Sequence, residues 1–106
     1  MLRRVITLVA GGVLSLAVAT PAQATVVDQT FGPLSIGDYC YSNVHTSAFI
    51  GFYEGGGLRC YSRGPSGNLQ YVGAGNPYQA CDYLTTGTVI TSWRGPSDSL
   101  VCRVDQ

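Results

Sequence analysis

Apolar residues form one nearly continuous run near the start of the chain and alternate with polar residues further on. The run covers residues 5–19, follows Arg3-Arg4 and is itself followed by Ala22-Gln23-Ala24. A basic start, a short apolar run and a small-x-small cleavage site are the three parts of a secretory signal peptide. We therefore expect residues 1–24 to be a signal peptide and residues 25–106 to form a single domain.

The apolar run is shorter than the roughly 20 residues that a transmembrane helix needs, and no second run follows it. We therefore expect a secreted protein without an integral membrane span.

Two later regions show the alternation that is typical of β-hairpins. The first predicted hairpin has strands at residues 48–54 and 58–62, joined by the turn Gly55-Gly56-Gly57. The second has strands at residues 86–93 and 100–104, joined by the turn Gly95-Pro96-Ser97-Asp98. A period of two places Leu100, Cys102 and Val104 on one face of the last strand. We expect the faces that carry cysteine to be the inner faces.

Further strands are predicted at residues 69–72 and 79–84, and around Cys40, with Tyr39 and Tyr41 on the face opposite the cysteine. Residues 25–34 are predicted to be an edge strand or a loose leading arm. Glycine and proline recur throughout, and no stretch shows a convincing apolar stripe of a helix. The sequence thus predicts an all-β fold, a small antiparallel sandwich or barrel of about six strands.

A shift of the sequence by 41 residues superimposes its two halves. Cys40 falls on Cys81 and Phe52 falls on Trp93, and one extra residue near Ser99 brings Cys60 onto Cys102. The hypothesis is an internal repeat; the alternative is chance similarity between β-rich segments.

Four cysteines in a short exported chain indicate two disulfides, because the compartment is oxidising and no C-x-x-C spacing is present. Cys40 and Cys60 enclose 19 residues, and Cys81 and Cys102 enclose 20. Three pairings are possible, and the similar spacings favour Cys40–Cys60 with Cys81–Cys102. In the chain-entropy account, each bridge would stabilise the domain by roughly 3 kcal/mol.

Residues 25–106 carry four arginines, six acidic residues and no lysine, a net charge of −2. These charges are scattered, so the chain lacks the basic patch with which proteins attract nucleic acid or an anionic membrane. We expect no nucleic-acid partner and a monomeric protein.

No catalytic or metal-binding pattern is evident. A catalytic triad would need His45, the only histidine, aligned with a hydroxyl such as Ser47 and a carboxylate such as Asp38 or Asp82. A solvated loop histidine is the preferred interpretation, and Glu54 is interpreted as a strand end instead of one half of a glycosidase pair. Since the cysteines are committed to disulfides and one histidine cannot build a zinc site, we expect no catalytic residue, metal or cofactor.

The side chains most typical of a binding site are Trp93 and Arg94, which border the turn of the second hairpin. Tryptophan and arginine are the residue types most often found as hot spots in protein interfaces. The alignment of Trp93 with Phe52 favours a role in the core or in sheet packing, so both interpretations are kept.

A second candidate is an aromatic patch around the Asn76-Pro77 turn, formed by Tyr71, Tyr78 and Tyr83. The alternative is that these rings pack a thin sheet. The candidate binding residues are therefore Trp93, Arg94, Tyr71 and Tyr78.

Two segments resemble known families. Ser92-Trp93-Arg94 near a turn, in an exported β domain with two disulfides, resembles the actinomycete α-amylase inhibitors of the tendamistat type, although Gly95 stands where that family has tyrosine. Residues 41–51 are similar to a segment of small secreted actinomycete proteins of unknown function. The first resemblance implies an inhibitor of an extracellular hydrolase, and the second implies no activity.

The preferred hypothesis is a small secreted, non-catalytic binding module that inhibits an extracellular hydrolase. Its contact would be the turn at residues 93–98 or the turn at residues 55–58, held in shape by the disulfides. The alternatives are a secreted antibacterial toxin or cell-envelope factor and, last, a small secreted enzyme.

Overall fold

The structure is a computed structural model of the protein and describes residues 25–106. The expected signal peptide and its cleavage site concern residues 1–24 and lie outside the described residues. The elements are β1 Val26–Phe31, α1 Pro33–Asn43, β2 Ile50–Glu54, β3 Gly57–Arg63, β4 Leu69–Gly75, α2 Pro77–Leu84, β5 Thr88–Arg94, a short 3₁₀ turn Pro96–Asp98 and β6 Leu100–Asp105.

The strands form two antiparallel sheets of three strands each. Sheet A has the order β1-β6-β5, and sheet B has the order β2-β3-β4. The predicted fold class, six antiparallel strands with two disulfides, is confirmed. Both hairpins and the strand at residues 69–72 lie where the alternation predicted them, and β1 is the predicted edge strand.

The two halves of the chain repeat one order of elements. The first half is β1-α1-β2-β3 and the second is β4-α2-β5-β6. Strand β1 pairs with β6, and β4 pairs with β3, so the first strand of each half completes the sheet of the other half. The shift of 41 residues therefore has a structural counterpart, and the halves are joined by strand pairing.

Two helices lie where the sequence predicted strands. The strand predicted at residues 79–84 is wrong because these residues belong to α2, and Cys40 with its flanking tyrosines belongs to α1. A proline occupies the first turn of each helix, where its missing N–H costs nothing. Asn76 caps α2, since its side chain accepts a 3.0 Å hydrogen bond from the Gln79 amide.

Gly37 lies inside α1, where helix packing requires a glycine. A Cβ at this position would overlap the backbone carbonyl oxygen of Phe49 and lie 2.8 Å from Ile50 Cα. A Cβ at Gly51 would lie 2.9 Å from Cys40 Sγ. Glycine on both partners thus lets α1 lie directly against β2.

The predicted disulfide pairing is confirmed. Cys40 on α1 is bonded to Cys60 on β3, and Cys81 on α2 is bonded to Cys102 on β6. In both halves, therefore, the helix is bonded to the middle strand of a sheet. The cysteine faces are the inner faces, as predicted, because Leu58, Cys60, Leu100, Cys102 and Val104 are all buried.

A single core joins the two helices and the two sheets. Its members are Ile36, Tyr39, Cys40, Ala48, Leu58, Cys60, Ala80, Cys81, Val89, Leu100, Cys102 and Val104. Because this core is small and contains all four cysteines, the disulfides contribute a large share of its interior. Neither helix within residues 25–106 has the length and hydropathy needed to cross a bilayer.

Because α1 contacts β2 closely, we predict that Gly→Ala in α1 changes the free energy of unfolding in the direction opposite to that expected from helix propensity. In an open helix, Gly→Ala stabilises by about 1 kcal/mol. We expect Gly37→Ala instead to lower the free energy of unfolding by about 2 kcal/mol or more, because the new methyl group overpacks the contact with β2. Urea denaturation measures the difference.

Gly56→Ala is the matched control, because a Cβ at Gly56 has no atom within 4 Å. We expect it to change the free energy of unfolding by less than about 0.5 kcal/mol. A Gly37→Ala variant that is more stable than the original chain would contradict the close packing of α1 on β2.

Candidate functional site

The outer face of sheet B is the surface that points away from Cys60. Strand β3 alternates along its length, so that Arg59, Tyr61 and Arg63 lie opposite the buried Leu58, Cys60 and Ser62. Phe52 on β2 is opposite Arg59, and Tyr71 on β4 is opposite Tyr61. We define the outer face of sheet B by these five residues, Phe52, Arg59, Tyr61, Arg63 and Tyr71.

Three aromatic rings cross this face from one edge strand to the other. The ring centroids of Phe52 and Tyr61 are 5.8 Å apart, and those of Tyr61 and Tyr71 are 5.9 Å apart. Both pairs are edge-to-face, a favourable geometry for aromatic contacts. Tyr71 is 49% exposed at the outer end of the row, so the face offers aromatic surface to a partner.

Both arginines of this face lie over aromatic rings. Arg59 Cζ is 5.3 Å from the centroid of Tyr71, and Arg63 Cζ is 4.7 Å from the centroid of Phe49. Such cation–π contacts hold the guanidinium plane while its N–H groups remain free to bind at the edge. The face therefore presents two oriented cations.

Glu54 is engaged within the site. The hydroxyl of Tyr61 donates a hydrogen bond to Glu54 Oε1. This hydrogen bond is the largest cause of a raised pKa at Tyr61, with burial as the next cause, because ionisation would break the bond and place two negative charges together. Glu54 therefore acts as an acceptor that fixes the central ring.

A depression of about 250 Å³ opens at the edge of this face, between the β2–β3 turn and β4. It is lined by Glu54, Gly56, Gly57, Leu58, Arg59, Tyr71, Ala74 and Gly75. The predicted turn at residues 55–58 thus forms part of the same surface as Arg59 and Tyr71.

The other predicted contact, the turn at residues 93–98, lies beside β2. Arg94 and Asp98 form an exposed ion pair at 3.7 Å, and the backbone at Ser97 and Asp98 is left-handed, with φ of 55° and 59°. A Cβ at Gly95 would lie 2.6 Å from Ser99 Oγ and 2.7 Å from Val101 Cγ2. This turn therefore has no room for the tyrosine that follows Trp-Arg in tendamistat-type inhibitors.

Trp93 lies on the outer face of sheet A and is 37% exposed, so it is not a core residue. It does pack on its sheet, because Arg103 Cζ lies 5.0 Å from the tryptophan ring. The arginine also binds Asp28, through Nε to Oδ1 at 2.8 Å and Nη2 to Oδ2 at 3.0 Å. These hydrogen bonds are the main reason that the pKa of Asp28 is lowered.

The predicted tyrosine patch does not form as one cluster. Tyr71 lies on sheet B, whereas Tyr78 and Tyr83 lie on α2. Tyr83 packs edge-to-face against Tyr39 with the centroids 6.2 Å apart, and its hydroxyl is 2.9 Å from Ser42 Oγ. Tyr78 is 54% exposed on the helix. Of the four candidate binding residues, only Tyr71 belongs to the outer face of sheet B.

His45 and Ser47 are close together, as a catalytic pair would need. Ser47 Oγ is 2.7 Å from His45 Nδ1, and the Ser47 amide donates to the same nitrogen at 3.0 Å. Both residues are exposed and neither lines the depression, so the contact is that of a local turn. Within residues 25–106, no three histidine, cysteine or acidic side chains are grouped to hold a metal ion.

Sequence reasoning missed Arg59, Tyr61 and Arg63, although a signal for them exists. The three residues alternate along β3 with Leu58, Cys60 and Ser62. Because Cys60 lies on the inner face of the sheet, the three residues lie on its outer face. Their ring partners come from β4 and from the segment before β2, which local alternation does not reveal.

No protein-family model, no curated protein and no solved structure matches this chain. The resemblances to tendamistat-type inhibitors and to small actinomycete proteins therefore stay predictions, and function has to be argued from the surface itself.

The Tyr61–Glu54 contact predicts an unusual titration. Because the pKa of Tyr61 is raised in the folded protein, its contribution to stability is present below the ordinary tyrosine pKa of about 10 and is lost as pH rises through the raised value. The difference in ultraviolet absorbance between the original chain and Tyr61→Phe, followed with pH, reports this group. We expect a midpoint above about 10.

Glu54→Gln removes the negative charge, so the same difference measurement in that background should give a lower midpoint. Asp38→Asn removes an acidic residue from α1 and should leave the midpoint of Tyr61 in place. A midpoint that is the same with and without Glu54 would contradict the assigned cause.

Proposed function

We propose that this protein is a small exported binding module without catalytic activity, and that it recognises an extracellular protein through the outer face of sheet B. The target class is an extracellular hydrolase, which the protein inhibits by occupying its surface. The observation that carries the proposal is the pair of arginines held over aromatic rings on one exposed sheet face.

The composition of the face supports protein recognition. Tyrosine, phenylalanine and arginine are enriched in protein interfaces, and the residues that dominate affinity are most often tryptophan, tyrosine and arginine. The five residues that define the outer face of sheet B are all of these types, and Ile50, Glu54 and Leu69 lie on the same side of the sheet. Its depression, beside Arg59 and Tyr71, gives a partner side chain a place to insert.

The rigidity of the scaffold supports the same function. The middle strand of the sheet is bonded to α1 through Cys60, so the backbone under Arg59 and Tyr61 is fixed before a partner arrives. A surface that is already ordered loses less conformational entropy on association. Two disulfides also fit an oxidising extracellular compartment and therefore support export.

The proposal can be tested on immobilised α-amylases and secreted proteases, with binding and residual hydrolase activity measured together. For the hydrolase that binds, we expect Tyr71→Ala and Arg59→Ala each to weaken affinity at least about tenfold, as hot-spot truncation does. Thr91→Ala is the control, because Thr91 is exposed on sheet A opposite Arg103.

Trp93→Ala and Arg94→Ala separate the sheet face from the turn at residues 93–98. A loss of affinity in these two variants, with none in Tyr71→Ala or Arg59→Ala, would move the recognition surface to that turn. Growth inhibition of neighbouring bacteria without binding to any hydrolase would support the toxin alternative instead.

A further inference from the structure

We propose that the outer face of sheet B binds an extended segment of its partner through two carboxylates, one held by Arg59 and one held by Arg63. This inference rests on the proposed function, which makes the same face the recognition surface. It adds the chemistry of what the face recognises, namely paired acidic side chains on a protein.

Sheet A shows how this chain binds a carboxylate on a sheet face. Arg103 lies over the ring of Trp93 and, at the same time, donates two hydrogen bonds to the two oxygens of Asp28. Stacking occupies the face of the guanidinium, whereas the carboxylate is bound by N–H groups in its plane. One arginine can therefore make both contacts together.

Sheet B has the stacked arginines without the carboxylates. Within residues 25–106, the ion pairs are Arg94–Asp98 and Arg103–Asp28, so neither Arg59 nor Arg63 has an acidic partner at ion-pair distance. Strand β1 supplies Asp28 opposite Arg103, but the corresponding strand β4 supplies Tyr71 opposite Tyr61. In the proposal, the carboxylate that sheet A provides internally comes to sheet B from the partner.

Glu54, the acidic side chain that lines the depression of this face, is already engaged. Glu54 accepts the hydrogen bond of Tyr61. The face thus carries two cations and one engaged anion, although residues 25–106 as a whole carry a charge of −2. An acidic partner is complementary to this face and is repelled by the remainder of the chain, which favours one orientation of docking.

The strand geometry sets the spacing of the two arginines along β3. Arg59 and Arg63 are four residues apart on β3, so their Cα atoms are about 13 Å apart along the strand. An extended partner segment with acidic residues four positions apart matches this spacing.

The surface between the arginines is apolar and aromatic. Phe52, Tyr61 and Tyr71 lie across this region, so the partner should carry an apolar side chain between its acidic residues. The carboxylate on Arg59 would lie at the depression that Gly56, Gly57 and Gly75 line together with Glu54, whose carboxylate is engaged by the Tyr61 hydroxyl. The recognition pattern is therefore acidic, apolar, acidic, on one face of an extended segment.

A library of random 12-residue peptides displayed on phage tests this pattern, with the disulfide-bonded protein as the immobilised target. We expect enrichment of Asp or Glu at two positions four residues apart with an apolar residue between them. The enrichment should be lost on the Arg59→Met/Arg63→Met variant, which keeps the aliphatic stems. It should persist on Arg103→Met, whose arginine already has an internal carboxylate partner.

A synthetic version of the enriched peptide then gives a second test, in which the peptide is varied first and the protein second. We expect its affinity to fall at least tenfold when its acidic residues are replaced by Asn or Gln, and to fall as salt is added. Arg59→Lys/Arg63→Lys should bind the peptide with intermediate affinity, because lysine keeps the charge and loses the two-pronged geometry.

Three results would overturn the inference: no enriched acidic pattern, equal enrichment on the Arg59→Met/Arg63→Met variant, or equally tight binding of the amide peptide.

Displacement of the acidic peptide by long-chain polyphosphate at equal charge concentration would assign the face to phosphate polymers instead. A hydrolase that loses affinity with Tyr71→Ala and Arg59→Ala but is not displaced by the acidic peptide would uphold the proposed function and contradict this inference. Acidic enrichment without any hydrolase binding would support this inference and contradict the proposed target.

Discussion

The bond between each helix and the middle strand of a sheet is the constraint on which the rest of this structure depends. Cys40 joins α1 to β3, and Cys81 joins α2 to β6. Because a middle strand has a neighbour on both sides, each bond fixes a whole sheet against a helix. The inner faces are thereby committed to the core, and only the outer faces remain for binding.

Exchange of the first strands adds a second constraint. Strand β1 completes the sheet of the second half, and β4 completes the sheet of the first half. The halves therefore cannot separate without breaking two strand pairings and exposing a shared core. For a domain of 82 residues, whose hydrophobic core alone gives a small margin of stability, this cross-pairing acts together with the disulfides.

The two halves share an architecture and differ in the charges on their outer faces. Sheet A satisfies Arg103 with Asp28, which lies on the exchanged strand β1. Sheet B places Tyr71 on the exchanged strand β4 and leaves two stacked arginines without a carboxylate among residues 25–106. The repeat thus explains why one face is internally complete and the other is suited to a partner.

The sequence revealed the hairpins and the disulfide pairing because both depend on local spacing. It did not reveal the helices, because Gly37 and the prolines that begin α1 and α2 resemble breaks in regular structure when read alone. Only the approach of β2 explains Gly37. The site was hidden for a similar reason: the register shift between Cys60 and Tyr61 brings Tyr71 opposite Tyr61, on the face that carries Arg59. Trp93 was chosen as a candidate because of its residue type, but whether its ring is buried depends on how the whole sheet packs.

Amide hydrogen exchange in the Cys40→Ala/Cys60→Ala variant tests the central constraint most directly. If the disulfide fixes sheet B against α1 and contributes roughly 3 kcal/mol, the amides of β3 should lose about a hundredfold in protection relative to the intact protein. Protection in β3 that stays within about threefold of the intact protein would contradict the account, because the sheet would then be held by packing alone.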